Sequence, residues 1–362
     1  MKTITLIATI LLLPTSARAQ PESIGSISKA QGGVKRSDVI DVQAGVEPGA
    51  AVYRGTRITT ESDGSVEIRL AGGSIMRVRP ASSIQLSPVK RSRKRKSSVV
   101  LFFGRVWSRV TKAVGGETNY EVNTPNAVAG VRGTEFETAV GADGSVRVRV
   151  DEGRVAVADD ERERSVKRGQ RVDGNENGLK GTRRAGRKPG WQTWQNQRED
   201  RARSDAGDVV RAMKQKIERR QSRLAKLRAQ QTELMNERKR WERDQRLGDP
   251  EADAKIAAID NKLADIADAI ADLSDVARSQ FGYVDHLAEL AADPRFGMIN
   301  AATIQAEAKT LLKLKRQFDA FEKEGKDMSQ EAMDDIMDDA RDGKRGTLKD
   351  EPGSVKDLFG DD

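Results

Sequence analysis

The chain has 362 residues, no cysteine and a formal net charge of +8. Without cysteine there is no disulfide framework, no thiolate metal site and no cysteine nucleophile, so stability must come from packing alone. The length allows two or three domains. The charge is concentrated: Lys90 to Lys96 holds six bases in seven residues, and Lys180 to Lys188 holds five bases and no acid.

Met1-Lys2, the apolar run Ile4 to Leu13, Pro14 and the small-residue site Ala17-Arg18-Ala19 read as a secretory signal cleaved after Ala19. That run is too short to span a bilayer, and no later stretch is apolar enough to cross one. The mature chain is expected in the periplasm, with no transmembrane segment. Export sets an envelope protein or an anionic envelope polymer, glycan or peptidoglycan, ahead of nucleic acid as the partner. For Lys90, Arg91, Arg93, Lys94, Arg95 and Lys96 the readings are anion or polymer binding and a solvated loop between strands.

From residue 24 to 172 the pattern is that of about ten short strands with glycine-rich turns. Val66, Ile68 and Leu70 face one way and Glu67 and Arg69 the other, as expected of antiparallel sheets with one wet face. The words repeat: Asp63-Gly64-Ser65-Val66-Glu67-Ile68-Arg69-Leu70 returns as Asp143-Gly144-Ser145-Val146-Arg147-Val148-Arg149-Val150, and Arg54-Gly55-Thr56 echoes Arg132-Gly133-Thr134. Val99 to Phe103 is a continuous apolar run, suited to a strand buried on both faces, and Trp107 continues it. The expected fold is a multi-domain chain: an all-β unit, β-sandwich or β-roll, followed by a helical coiled-coil hairpin or bundle.

The most informative stretch runs from Asn123 to Phe136, N-T-P-N-A-V-A-G-V-R-G-T-E-F. Pro125 ends an extended run, Gly130 and Gly133 allow bends or close backbone approach, and a strand starts at Glu135. With the strand entry at Gly55 to Thr60, Gly73-Ser74, Gly153-Arg154-Val155 and Gly169-Gln170, this stretch resembles the FecR domain. That is the periplasmic β domain of bacterial iron-dicitrate-type transmembrane sensors and of many secreted proteins. The residues that carry the likeness are Thr124, Pro125, Gly130, Val131, Arg132, Gly133, Thr134 and Phe136, within a unit spanning about 24–172. Thr56 and Gly72 stand where the family often carries aspartate, so those turns are expected to be built differently. The resemblance implies a binding or signal-relaying module.

Residues 173–197 are polar and basic and read as a flexible linker. Residues 198–292 read as an antiparallel hairpin. Its first helix has Val210, Met213, Ile217, Leu224, Leu227, Leu234 and Trp241 on an interrupted seam and carries 15 bases against 9 acids; its second, with Ile256, Ile259, Leu263, Ile266, Ile270 and Leu273, carries 3 against 9. Residues 299–340 should add a helix from about Ala301 to Lys323, completing a three-helix bundle, and a short acidic helix capped by Ser329. A polar tail at 343–362 is expected to be disordered.

Groups for catalysis are scarce. His286, the lone histidine, reads as a seam-edge residue. Ser26-Ile27-Ser28-Lys29 has the S-x-x-K spacing, but on a strand, residues three apart point to opposite faces. Asp334, Asp335, Asp338 and Asp339 have chelating spacing but read as a solvated face. Trp191 and Trp194 read as packing anchors or a sugar platform. No cofactor, metal or catalytic residue is expected. The sequence points to a non-enzymatic exported envelope protein: the FecR-like domain binds or relays, and the helices serve assembly or scaffolding, homo-oligomers included. The alternatives are an accessory of outer-membrane receptor signalling and a cell-wall hydrolase.

Overall fold

Alternating apolar and charged residues make strands of the first half of the chain, and apolar residues at three-to-four spacing make helices of the second. The computed structural model describes residues 23–38, 45–87, 97–111, 120–186 and 190–341, with side chains as far as 323. The signal segment, the basic loop Lys90 to Lys96 and the tail 343–362 lie outside the described residues.

Before the Asn123–Phe136 stretch come β1 (Ser23–Gln31), β2 (Val34–Ser37), β3 (Ala51–Tyr53), β4 (Arg57–Thr60), β5 (Ser65–Leu70), β6 (Ile75–Val78), β7 (Ser82–Leu86) and β8 (Ser97–Arg109). Then follow β9 (Tyr120–Asn123), β10 (Val128–Val131), β11 (Glu135–Val140), β12 (Val146–Glu152), β13 (Arg154–Ala158), β14 (Glu163–Lys167), β15 (Gln170–Asn175), β16 (Gly178–Leu179) and β17 (Arg183–Arg184). The helices are α1 (Trp191–Arg246), α2 (Ala252–Ala292) and α3 (Ala301–Arg341).

The strands form two sheets. One has the order β3-β1-β5-β6-β8-β11-β12-β15, with β16 and β17 sharing the far edge of β15. The other has the order β2-β4-β7-β8-β9-β10-β13-β14 and is antiparallel apart from the β8–β9 pair. β8 belongs to both: Val99 to Phe103 pairs with β7, and Gly104 to Arg109 pairs with β11. The crossing falls at Gly104, whose φ of 89° is open to glycine at little cost. Between the sheets lie Ile27, Ile58, Ile68, Met76, Ile84, Leu101, Phe136 and Val148, all at 1% exposure or less.

As expected, an all-β unit precedes helices. The differences are local. The strands are more numerous than about ten because short segments such as β2, β16 and β17 also pair. The flexible linker over 173–197 is a correction: Arg171 and Gly174 pair onward to β17 and β16, and α1 is already helical from Trp191. Polar composition did not prevent pairing there, because the ladder needs only backbone groups. The short separate helix at Ser329 is a second correction. α3 runs unbroken to Arg341, since Gly325 weakens a helix without ending it.

α1 and α2 run antiparallel, with Arg238 against Asp260 and Gln245 against Asp253. α3 lies against both where they leave the sheets: Gln221 donates to the Leu314 carbonyl, Lys315 pairs with Asp285 at 2.8 Å, and the Phe281 and Phe318 rings are 5.6 Å apart. Val210, Met213, Ile217, Leu224, Ile304, Leu311 and Phe318 are buried in this part of the bundle.

Candidate functional site

The Thr124–Phe136 segment is a hub between sheets and helices. Thr124 and Ala127 close a tight turn, the Ala127 amide donating to Thr124 Oγ1 at 3.0 Å. That turn presents the Pro125 carbonyl, which accepts from Gln280 Nε2 of α2 at 3.0 Å, and Asn126, whose Oδ1 accepts from Lys216 Nζ of α1 at 2.8 Å. Asn126 Nδ2 donates to the Gly144 carbonyl, tying the turn to the repeated Asp-Gly turn. Gly130 sits in β10 between Glu121 and Ala156, Val131 is buried, and Arg132 is exposed at the bend where Gly133 has a φ of 62°. Thr134 Oγ1 donates to the Arg154 carbonyl at 2.9 Å, and Phe136 packs edge-on against Tyr120 in the core. Thus two of the eight motif residues shape the helix seat directly, and most of the others build the fold beneath it.

Two buried carboxylates, each with several partners, flank that turn. Asp275 of α2 is fully buried and accepts from Ser87 Oγ at 2.9 Å, Ser98 Oγ at 2.8 Å and Arg278 Nη1 at 2.8 Å. Asp143, also fully buried, accepts from the Ser145 amide and hydroxyl and faces Arg198 and Arg201 of α1 at 3.2 Å each. Arg201 also pairs with Glu176, which holds its guanidinium above the ordinary range, and Tyr283 donates to the Ala142 carbonyl. On the neighbouring face, α2 lays Gly282 on the Phe102 ring and stacks His286 on Phe103 at 3.6 Å. Burial pushes the Lys216 amine down, against the pull of Asp160 and other nearby acids.

The outward face of the β8-containing antiparallel sheet carries a second arrangement. Register puts Lys29 opposite Glu67, Glu67 opposite Arg77 and Arg77 opposite Trp107. The row continues through Glu137 and Arg149 to Arg171. Arg77 lies over the Trp107 ring at 4.4 Å, and its hydrogen bond holds the Glu67 carboxyl below the ordinary range. At the β1 end of the row an open groove of about 260 Å³ is lined by Lys29, Gln31, Ser65, Glu67, Arg77 and Arg79.

Trp191 and Trp194 begin α1 and close the far side of this face, packed on Ala139 with Arg105 and Arg147 over their rings. They anchor the helix and offer no open ring face to a sugar. Ser26 and Lys29 do share a face, because a bulge after Ile27 shifts the register. That corrects the expectation of opposite faces. Lys29 is set against Glu67, however, and the groove includes Lys29 without Ser26. The Asp334–Asp339 side chains and the loop Lys90 to Lys96 fall outside the described residues. Among the described residues no group of three histidine or acidic side chains is placed to hold a metal ion, and no helix is long and apolar enough to cross a membrane. At the Thr56 turn the hydroxyl takes the Tyr53 amide at 2.9 Å and donates to Asp38, which also pairs with Arg36.

Asp275, Gln280 and Lys216 were not singled out by sequence reasoning. The signal available was Ser274-Asp275 and Ser279-Gln280, polar pairs interrupting a helix whose neighbours Val276, Ala277 and Phe281 are apolar.

Residues 56–156 match the family described as FecR protein. Two crystal structures of a proposed anti-sigma factor from Parabacteroides distasonis ATCC 8503, at 1.65 and 2.50 Å resolution, are similar at 16% sequence identity with a TM-score of 0.30. The likeness covers 35% of this chain and 59% of theirs, so the chain spans under two thirds of those proteins. No curated protein matches the chain. The matched residues run from the Thr56 turn to the middle of β13 and include the turn that seats the helices, and the β unit carries a FecR domain over residues 56–156.

Proposed function

We propose that this protein is a non-enzymatic FecR-domain module of the bacterial envelope with a signalling-related role, in which the β domain engages a partner and the helical arm carries its state onward. One observation carries the reading: α1 and α2 are seated on the family motif itself, through Gln280 on the Pro125 carbonyl and Lys216 on Asn126, so the motif turn and the arm move together. A relay needs such a shared element, because two sites couple only through a part that both contact. The FecR match over 56–156 supports the signalling class. The signal-like N-terminal run supports export to the periplasm, where an envelope protein is the partner.

Crosslinking in intact cells followed by mass spectrometry tests compartment and partner together. The expected result is a chain beginning at Gln20, in the periplasmic fraction, joined to an envelope protein through the β domain. A chain retaining Met1 in the cytoplasm, or one that captures no partner, would defeat the proposal. Ser26→Ala is expected to leave the cellular function intact.

A further inference from the structure

We propose that the outward face of the β8-containing antiparallel sheet is a docking surface for a linear anionic polysaccharide, laid along the row from Lys29 to Arg171. The assignment rests on reading the β domain as a binding module and adds the surface and the ligand chemistry.

Four bases, Lys29, Arg77, Arg149 and Arg171, stand in the row against two acids, Glu67 and Glu137. Asp151 and Asp173, which pair with Arg149 and Arg171, balance the row itself. The positive excess comes from flanking residues: Arg69 is exposed and paired in register with Ser26, and Arg79 and Arg105 share the single carboxylate of Glu137. At the β15 end Arg149 and Arg171 are partly exposed, each paired on its own strand with Asp151 or Asp173. At the β1 end the groove of about 260 Å³ opens between Lys29, Arg77 and Arg79.

The shape selects the polymer. With strands about 4.8 Å apart, a row crossing seven of them runs about 29 Å, the length of several sugar units and far more than one small anion needs. The one large aromatic in the row, Trp107, lies under Arg77 and Arg109 and is only 6% exposed, so no aromatic anchor of the kind that dominates protein interfaces is offered. Among the described residues of this face, no exposed large apolar side chain projects for insertion into a bilayer. An extended chain with repeated carboxylates matches guanidinium groups, which donate to such oxygens in a planar, two-pronged geometry.

The test uses the full secreted chain and three probes: polygalacturonate, polyglutamate, and vesicles containing phosphatidylglycerol, with binding followed by calorimetry at several salt concentrations. Polygalacturonate should bind, its affinity falling steeply as salt rises, because each contact releases counterions. The pair Lys29→Gln with Arg69→Gln removes two exposed charges that hold no part of the core, and is expected to weaken binding roughly tenfold. Arg149→Gln with Arg171→Gln should do the same, with circular dichroism checking the fold. Lys94→Gln with Arg95→Gln, in the basic loop, should leave the affinity near that of the parent. The proposal is overturned if polygalacturonate fails to bind, if polyglutamate or vesicles bind more tightly, or if only the loop variant weakens binding. Any of these would leave the crosslinking result on an envelope partner standing, so the two readings fail separately.

Discussion

At the scale of single residues, the side chains joining the helices to the FecR domain are buried and polar, and that makes them sensitive. Asp275 is the acceptor for two serine hydroxyls and Arg278. Asp275→Ala strands those donors away from water, and should cost about 3 kcal/mol in denaturant unfolding. Gly282 acts in the opposite sense. Alanine is the better helix former by about 1 kcal/mol, yet a Cβ there would run into the Phe102 ring, which is 2% exposed and cannot swing aside. Gly282→Ala is therefore expected to lower stability by about 2 kcal/mol, seen as a reduced unfolding midpoint. Asp159 gives a pH dependence. Burial would raise its pKa, but the amides of Glu161, Leu179 and Arg162 outweigh burial and hold it below 3.8. A carboxyl depressed in the folded state adds stability above its unfolded value and loses it as pH falls through the folded one. Amide exchange at Leu179 and Arg162 should accelerate below about pH 4, and Asp159→Ala should remove that acid-dependent step.

At the scale of elements, β8 decides the architecture. Its apolar stretch Val99 to Phe103 was legible as a core strand. Its membership of two sheets was not, because the bend depends on a single glycine and on Ser82, whose hydroxyl accepts from the Arg105 amide at 2.9 Å. A side chain on Gly104 would need a positive φ and would collide with Ser82, so Gly104→Ala should destabilise the domain by about 2 kcal/mol or more. Far-UV circular dichroism and a denaturation curve read this directly. The two-faced pattern of β5 and β12 was legible because side-chain alternation is dictated by the strand itself. The helices were legible for the same reason at their own period, and their opposite charges foretold the Arg238–Asp260 pairing. What stayed hidden was the seat. The partners of Asp275 lie 177 and 188 residues away, and no local periodicity encodes a contact of that range. The supposed linker was hidden differently: its polar side chains gave no sign that its backbone completes the edge of β15.

At the scale of the whole molecule, one apolar cluster runs from Ile27 and Val52 between the sheets, through Val209 and Met213 of α1 and Tyr283 of α2, to Phe318 of α3. A shared core makes the β domain and the inner part of the helical bundle one cooperative unit. Tryptophan fluorescence and far-UV circular dichroism should therefore report coincident unfolding transitions for the parent chain. Asp275→Ala should separate them, the helical signal melting first. Two separate transitions in the parent would contradict the shared core.

Because α1 grows directly from the Trp191–Trp194 root, its 56 residues form a rod of about 84 Å at about 1.5 Å per residue. Such a rod amplifies. Beyond Leu224, which is buried in the bundle, about 35 Å of rod remain, so a tilt of about 5° there would swing the Leu247 end by about 3 Å. Whatever grips the far end of the arm would thus read a small rotation of the β domain as a displacement.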